Sequence, residues 1–474
     1  PWSAYTAGSY AGTTMVKDLA NYSISSDQIM RYFGASNNIL VPSSGSYRWF
    51  WDYSFYGNTD IISINTTAMT TPWAIRGFAF AYCTALTTFN FNSGLSTLNA
   101  DGNQFLYCIS LTTITWESGA GYQASLPKQM FQYCFSLNNI VIPDYFTAFG
   151  EACFYGCYGL EAITLPSTLT EIGYAVFAEC HSLEAIIIPA GVLTVAESAF
   201  YNCRSLATLT ISSGVSKIGS WAFQYCESLK TVVIPNTVTE IDDYAFEFCT
   251  SLISVDLGTG LTRLGYSVFH GCFELPTITL PASLTTLGDN WLNMTAGVFD
   301  QCVNLTSISV ASGNVMFSSL NGVLFNLNRT MLIQCPAGKT GQYMTPISTE
   351  YIMPGAFYYC NKLTHVGINE GITNITYAMF ASCDMLTTVG LPSTLVGIDD
   401  LAFQLCPSLV TVDIPDSVKR IGDNAFYFCT GLESVTIGSG VETIGKLAFY
   451  SCTSLKAVLI PDKVYLIDNY SFMY

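Results

Sequence analysis

The side chains with the most reactive chemistry in this chain are its seventeen cysteines and three histidines. Thiols in such number could pair as disulfides, hold zinc or supply a nucleophile. Their spacing argues against all three. Cys134, Cys157, Cys180, Cys203, Cys226, Cys249 and Cys272 are 23 residues apart throughout, and the interval returns from Cys360 to Cys452. Residues at one slot of a repeating unit sit above their copies in the next unit. If that slot lies on short helices, copies are ~8–10 Å apart, whereas a disulfide needs Cα atoms within about 7 Å. The expectation is therefore a column of small buried hydrophobes with free thiols. Cys153 and Cys335 fall outside the slot; Cys153 meets Cys157 only if the local helix is distorted.

There is no CxxC and no Cys/His cluster, so no metal is expected. His181 and His270 fall at variable slots near Cys180 and Cys272, and His365 lies on a strand facing outward. They build no Ser/His/Asp or Cys/His set, so neither a catalytic residue nor a cofactor is expected. Gly258-Thr259-Gly260 and Gly438-Ser439-Gly440 lack the third glycine of a dinucleotide loop, and Ile333 stands where a phosphate loop ending in Gly338-Lys339-Thr340 needs glycine. Asp242-Asp243 and Asp399-Asp400 read as helix caps rather than calcium ligands.

These positions are set by one recurring sentence. Phe177 to Ala199, Phe200 to Ala222, Phe223 to Ala245 and Phe246 to Val268 are copies of a 23-residue unit. Counting from its Phe, Cys is at 4, Leu at 7, aliphatics at 10, 12, 16 and 19, and often Pro at 13. A period of 20–50 residues marks a solenoid, propeller or array. In the copy beginning at Phe223, Val232 and Ile234 alternate inward along a short strand that Pro235 ends. Val238 and Ile241 form a second inward run, and Ala245, Phe246 and Cys249 sit on one face of a short helix. Phe177, Phe200, Phe223 and Phe246, with Cys157 to Cys249, are the expected core ladder.

Residues 1–54 do not fit the period and read as an N-terminal cap, with a short helix over Ser26–Gly34 and an aromatic cluster that includes Trp49 and Trp51. Residues 55–474 read as about 17 coils. A variant unit spans 310–352, where Asn321-Gly322 between apolar runs signals a hairpin.

Half of the residues are apolar and 11% charged. No uncharged apolar run reaches the ~18 residues of a membrane helix, so the apolar content serves a shared core. A net charge of −17 with only 17 Lys and Arg excludes nucleic acid and disfavours anionic membrane surfaces. The chain begins at Pro1 and reads as a processed product. Low Lys and sequons such as Asn65, Asn304, Asn328 and Asn374 suit an extracellular setting with possible N-glycans.

The 23-residue pattern is that of a leucine-rich repeat, and units such as IPNTVTEIDDYAFEFCTSLISV resemble the BspA-like family over about residues 55–474. The FSSLNGVLFN…LIQCPAGK insert resembles that family's variant unit. The resemblance implies an α/β solenoid: a curved stack with one parallel sheet on the concave face and short helices on the convex face. It also implies secreted or surface proteins that adhere to host proteins or other cells, without catalytic residues.

Two surfaces are candidates for contact. The open sheet face carries mostly Thr and other small residues, with Asp256, His365 and Asp413 among the few charged or aromatic groups; β-propensity alone accounts for the Thr. Tyr82, Tyr107, Tyr133, Tyr225 and Tyr359 share slot 3, flanking the buried side. There they either pack neighbouring coils or form a lateral contact stripe. The functional expectation is a non-enzymatic, cell-surface, protein-binding solenoid. The alternative is a structural subunit that assembles end to end with copies of itself, suggested by the absence of a polar cap before Tyr474 and by the aromatic N-terminal segment.

Overall fold

The computed structural model describes strand residues 16–19, 22–24, 30–32, 38–40 and 49–50, then residues 52–66, 73–92, 94–117, 125–288 and 297–473. The chain divides into two compact units, Pro1–Gly214 and Val215–Tyr474. Each is a stack of β-coils.

A coil contributes two short strands, and each pairs in parallel with its copy in the neighbouring coil. In the first unit, the first strands run Asn38–Leu40, Ser63–Asn65, Thr88–Phe91 and Thr113–Trp116, then Asn139–Val141 beside Ala162–Thr164 and Ala185–Ile188 beside Thr208–Ile211. The second strands form a separate ladder, including Ser125–Leu126, Ala148–Phe149, Glu171–Ile172 and Thr194–Val195. The second unit repeats this arrangement, for example with Gly341–Met344, Leu363–Gly367, Thr388–Gly390, Thr411–Asp413 and Ser434–Thr436 as consecutive first strands. Register is exact to the repeat: Ala185 faces Thr208, and Thr231 faces Ser254. Alternation does the sorting: along Thr231–Val233 only Val232 is buried.

The expected helices are absent. No segment among the described residues is helical, and the Phe-to-Cys stretch is a chain of turns. Within a coil, the Gln224 N–H donates to Trp221 and the Cys226 N–H to Phe223. The intervening N–H groups leave the coil: Trp221, Phe223 and Tyr225 donate to Asp243, Ala245 and Glu247 of the next coil at 2.8–3.0 Å. This alternation requires left-handed backbone at two slots per coil, as at Trp221 (φ 55), Tyr225 (φ 60), Tyr244 (φ 58) and Phe248 (φ 54). Ala, Phe and Cys at helical spacing therefore face one way on a surface whose hydrogen-bond partners lie one coil off. A full ladder of inter-coil bonds satisfies buried backbone groups that an isolated single helical turn would leave open.

The aspartates read as helix caps are accounted for in the same way. The Asp243 carboxylate accepts the N–H of Tyr266 at 2.8 Å, and the Asp400 carboxylate accepts that of Asp423 at 2.8 Å. Asp242 takes Arg263 at 2.6 Å and Lys217 at 3.0 Å.

Phe177, Phe200, Phe223 and Phe246 are fully buried. Their rings stack coil on coil, Phe177 on Phe200 at 5.3 Å and Phe223 on Phe246 at 5.1 Å. Such spacing is close to the ~4.8 Å between paired strands and far from that of packed helices.

At the N-terminus, Val16–Leu19, Tyr22–Ile24 and Met30–Tyr32 form a three-stranded antiparallel sheet. Met30–Tyr32 is thus a strand and not part of a helix. In the variant unit, Phe317–Leu320 and Val323–Asn326 form the expected hairpin, with Asn321 and Gly322 both at positive φ (53° and 79°). Met331–Gln334 continues it and also pairs in parallel with Tyr351–Ile352.

Candidate functional site

The cysteine column is a structural device. All seventeen thiols are free and buried. Cys203 donates its S–H to the Phe177 carbonyl of the preceding coil at 3.1 Å; Cys180 does the same to Phe154 at 3.3 Å, and Cys249 to Phe223 at 3.3 Å. The reason for their being unpaired is therefore not the helix spacing expected above. The coils stack at strand spacing, and each sulfur is aimed at a carbonyl. Burial pushes Cys83 and Cys157 up to about 12, far from the thiolate form that a nucleophile needs.

The histidines are dispersed. His181 Nε2 lies 2.7 Å from the Glu179 carboxylate. His270 is held below the ordinary imidazole value by burial, and His365 Nδ1 lies 2.7 Å from Thr388 Oγ1. Among the described residues no group of three His, Cys, Asp or Glu could hold a metal ion.

Two surfaces remain. The first is the outward face of the first strands. In the first unit it carries Thr113, Thr115, Asn139, Ala162, Thr164, Ala185, Thr208 and Thr210, all exposed. Val141 and Ile187 stand among them at 66% and 64% exposure, and Val233 holds the same slot in the second unit at 63%. Asp256 and Asp413 are exposed on this face, and Asp256 also accepts the Gly258 N–H at 3.0 Å. His365 is half-buried beside its Thr388 partner.

The second surface is a ribbon of aromatic rings along the turn side of the first unit. Tyr82 stacks on Tyr107 at 5.0 Å, and Tyr107 meets Tyr133 at 4.5 Å. Sequence reasoning found this column but not its extensions. Tyr53, Phe78 and Tyr56 continue it at one end. At the other, Phe135 stacks on Tyr158 at 4.9 Å and Tyr158 on His181 at 4.7 Å. The missing signal was present in slots 2 and 5 of the repeat, which supply Tyr56 and Tyr155, and Phe135, Tyr158 and His181.

Where slot 3 is glycine the ring of the preceding coil occupies the vacated space: a Cβ on Gly156 (φ +69) would stand 2.5 Å from the Tyr133 ring. Burial, then neighbouring phenols, raises Tyr82 and Tyr133. Tyr155 is pushed to about 12, first by burial and then by Tyr133.

The other candidates do not join the ribbon. Tyr225 stacks on Phe248 at 5.2 Å and Tyr359 packs edge-on to Tyr358 at 4.7 Å, both in the second unit. Trp49 pairs through its backbone with Ala74; its side chain and all of Trp51 lie outside the described residues.

Among solved structures, the pneumococcal vaccine antigen PcpA is similar to this chain at 24% identity, over 70% of this chain and 84% of that one, with a TM-score of 0.54. A leucine-rich repeat protein from Bacteroides ovatus is similar at 23% identity over 95% and 94%, with a TM-score of 0.51. Both likenesses concern the fold. No curated protein matches the chain. A family profile described as BspA type leucine rich repeat region matches residues 49–184, 124–232, 171–296, 217–328 and 350–474. With the repeat, the coil stack and the variant hairpin in place, the chain belongs to the BspA type leucine-rich repeat family.

Proposed function

We propose that this chain is a non-enzymatic, surface-displayed binding protein that contacts other proteins through the open face of its first strands. One observation carries the reading. Val141, Ile187 and Val233 occupy equivalent outward slots at 63–66% exposure, where Thr164 and Thr210 show that a polar β-branched residue serves the strand equally well. Exposed β-branched side chains gain from shedding water on binding and lose little rotamer freedom. A flat field of short hydroxyls around them lets a partner approach closely. Glycan recognition is disfavoured, since among the described residues this face carries no Trp, Tyr or Phe.

Display at a surface is supported by membership of this family and by likeness to a pneumococcal vaccine antigen. No helix among the described residues is long and apolar enough to cross a membrane.

The test is binding of the fluorescently labelled full chain to intact epithelial or bacterial cells. Saturable binding should disappear after protease treatment of the cells and fall about tenfold in a Val141→Thr, Ile187→Thr variant. Binding abolished only by glycosidases, or unchanged in the variant, would sink the reading.

A further inference from the structure

The exposed aliphatic residues of the first unit, Val141 and Ile187, stand in a stretch of one charge sign. From Gln129 to Cys203 the chain has seven Asp and Glu and no Lys or Arg. Two of those carboxylates flank the open face itself. Glu161 and Glu184 directly precede the first strands Ala162–Thr164 and Ala185–Ile188, and both are exposed. The Glu184 N–H donates to the Glu161 carbonyl at 3.2 Å, so the two residues sit one above the other in adjacent coils, about 5 Å apart at strand spacing. Among the described residues neither carboxylate has an ion pair or a hydrogen bond.

The fold does not ask for carboxylates here. In the same slot Thr87 and Thr112 donate their hydroxyls to a carbonyl one coil back, Ile62 at 3.0 Å and Thr87 at 3.1 Å. An ionised glutamate has no proton to donate, and like charges at facing positions of adjacent strands repel. Glu161 and Glu184 therefore forgo a bond and add a repulsion, which a cation brought from outside relieves.

The geometry selects the cation. Two carboxylates fall short of the six to eight oxygens that calcium takes, and among the described residues no third His, Cys, Asp or Glu completes a metal site. A Lys or Arg side chain fits better, because its charged head is joined to an apolar stem. Ile187 lies three residues along the strand from Glu184, roughly 10 Å at extended spacing. Ala185 stands between them on the same face, as Ala162 does one coil earlier, both exposed. These small side chains leave the surface low between the charged row and the aliphatic row, where a stem can lie.

We infer that the open face of residues 131–199 takes a basic protein surface: Lys or Arg heads on Glu161 and Glu184, their stems over Ala162 and Ala185, and aliphatic side chains on Val141 and Ile187. This rests on the reading of that face as a protein-binding surface and adds the charge of the partner. In the second unit the exposed Lys230 precedes Val233 at the equivalent flank, which confines the basic contact to the first unit.

Binding of the labelled full chain to intact cells, measured from about 50 to about 300 mM NaCl, tests it. Binding should weaken as salt rises. Glu161→Gln with Glu184→Gln should lower affinity about tenfold and flatten the salt dependence. Its urea midpoint should be no lower than the parent's, because a repulsion has been removed. Glu151→Gln with Glu171→Gln, the same charge change on exposed residues off the face, should bind as the parent does. An equal loss in both double variants would reduce the effect to net charge and overturn the proposal, as would binding indifferent to Glu161 and Glu184. If the Val141→Thr, Ile187→Thr variant loses binding while the Glu161→Gln, Glu184→Gln variant keeps it, the open-face reading stands and this inference alone falls. An absence of saturable binding by the parent overturns both.

Discussion

The thiol of Cys203 and the carbonyl of Phe177 are hydrogen-bonded at 3.1 Å across adjacent coils, and the same bond recurs up both stacks. It gives each buried Phe carbonyl a second donor beside the N–H of its own turn, as Cys180 supplies to Phe177. Cys203→Ala should cost about 1–2 kcal/mol, from lost burial and a lost bond. Cys203→Ser, which can still donate, should cost less. Urea titration ranks them, and an alanine variant as stable as the serine one would remove the bond from the account.

Because all seventeen thiols are buried, and burial pushes Cys452 up to about 12, the folded chain should resist a thiol reagent at pH 8. All seventeen should react together when denaturant unfolds the stacks. Gradual labelling in native buffer would contradict this.

Asp300 is a buried carboxyl with no ion pair to a cation among the described residues. Gln334 Nε2 donates to it at 2.6 Å, and burial pushes it up to about 7. A raised carboxyl stabilises the fold fully below the unfolded-state value near 4. That contribution falls as pH rises, because the unfolded chain gives up its proton first, and it is gone above about 7. Asp300→Asn should therefore raise the urea midpoint at pH 8.5, by an amount equivalent to roughly 2–4 kcal/mol, and change it little at pH 4. Equal effects at both pH values would contradict the assignment.

Gly156→Ala meets both a positive φ and the Tyr133 ring. It should destabilise by about 1–3 kcal/mol. Part of that loss should return when Tyr133→Ala is added, since the ring contact is then absent. Strictly additive costs in a double-mutant cycle would show that backbone strain alone is responsible.

What could be read from the sequence follows from where the partners of each residue lie. Phe177 and Cys180 were legible as inward residues because burial is recorded in the period itself. Asn321-Gly322 was legible because its turn needs positive φ at two adjacent residues. The helix was misread because Ala222, Phe223 and Cys226 have helical spacing, while the bonds that decide the backbone run from Phe223 to Ala245, a full unit away. Local propensity carries no trace of such a partner. The aromatic ribbon was half legible. Tyr82, Tyr107 and Tyr133 recur in one slot, but Tyr158 and His181 enter from another, and only the stacking of coils shows that the two columns touch.

The backbone ladders between coils have a consequence for how such a chain changes over generations. Main-chain bonds such as Phe223 to Ala245 are indifferent to side-chain identity, and outward slots such as Val141 and Ile187 touch little of the interior. Duplication or loss of a unit, and substitution at its outer positions, can thus proceed without retuning what lies inside. A lineage can rewrite its face while inheriting its interior unchanged.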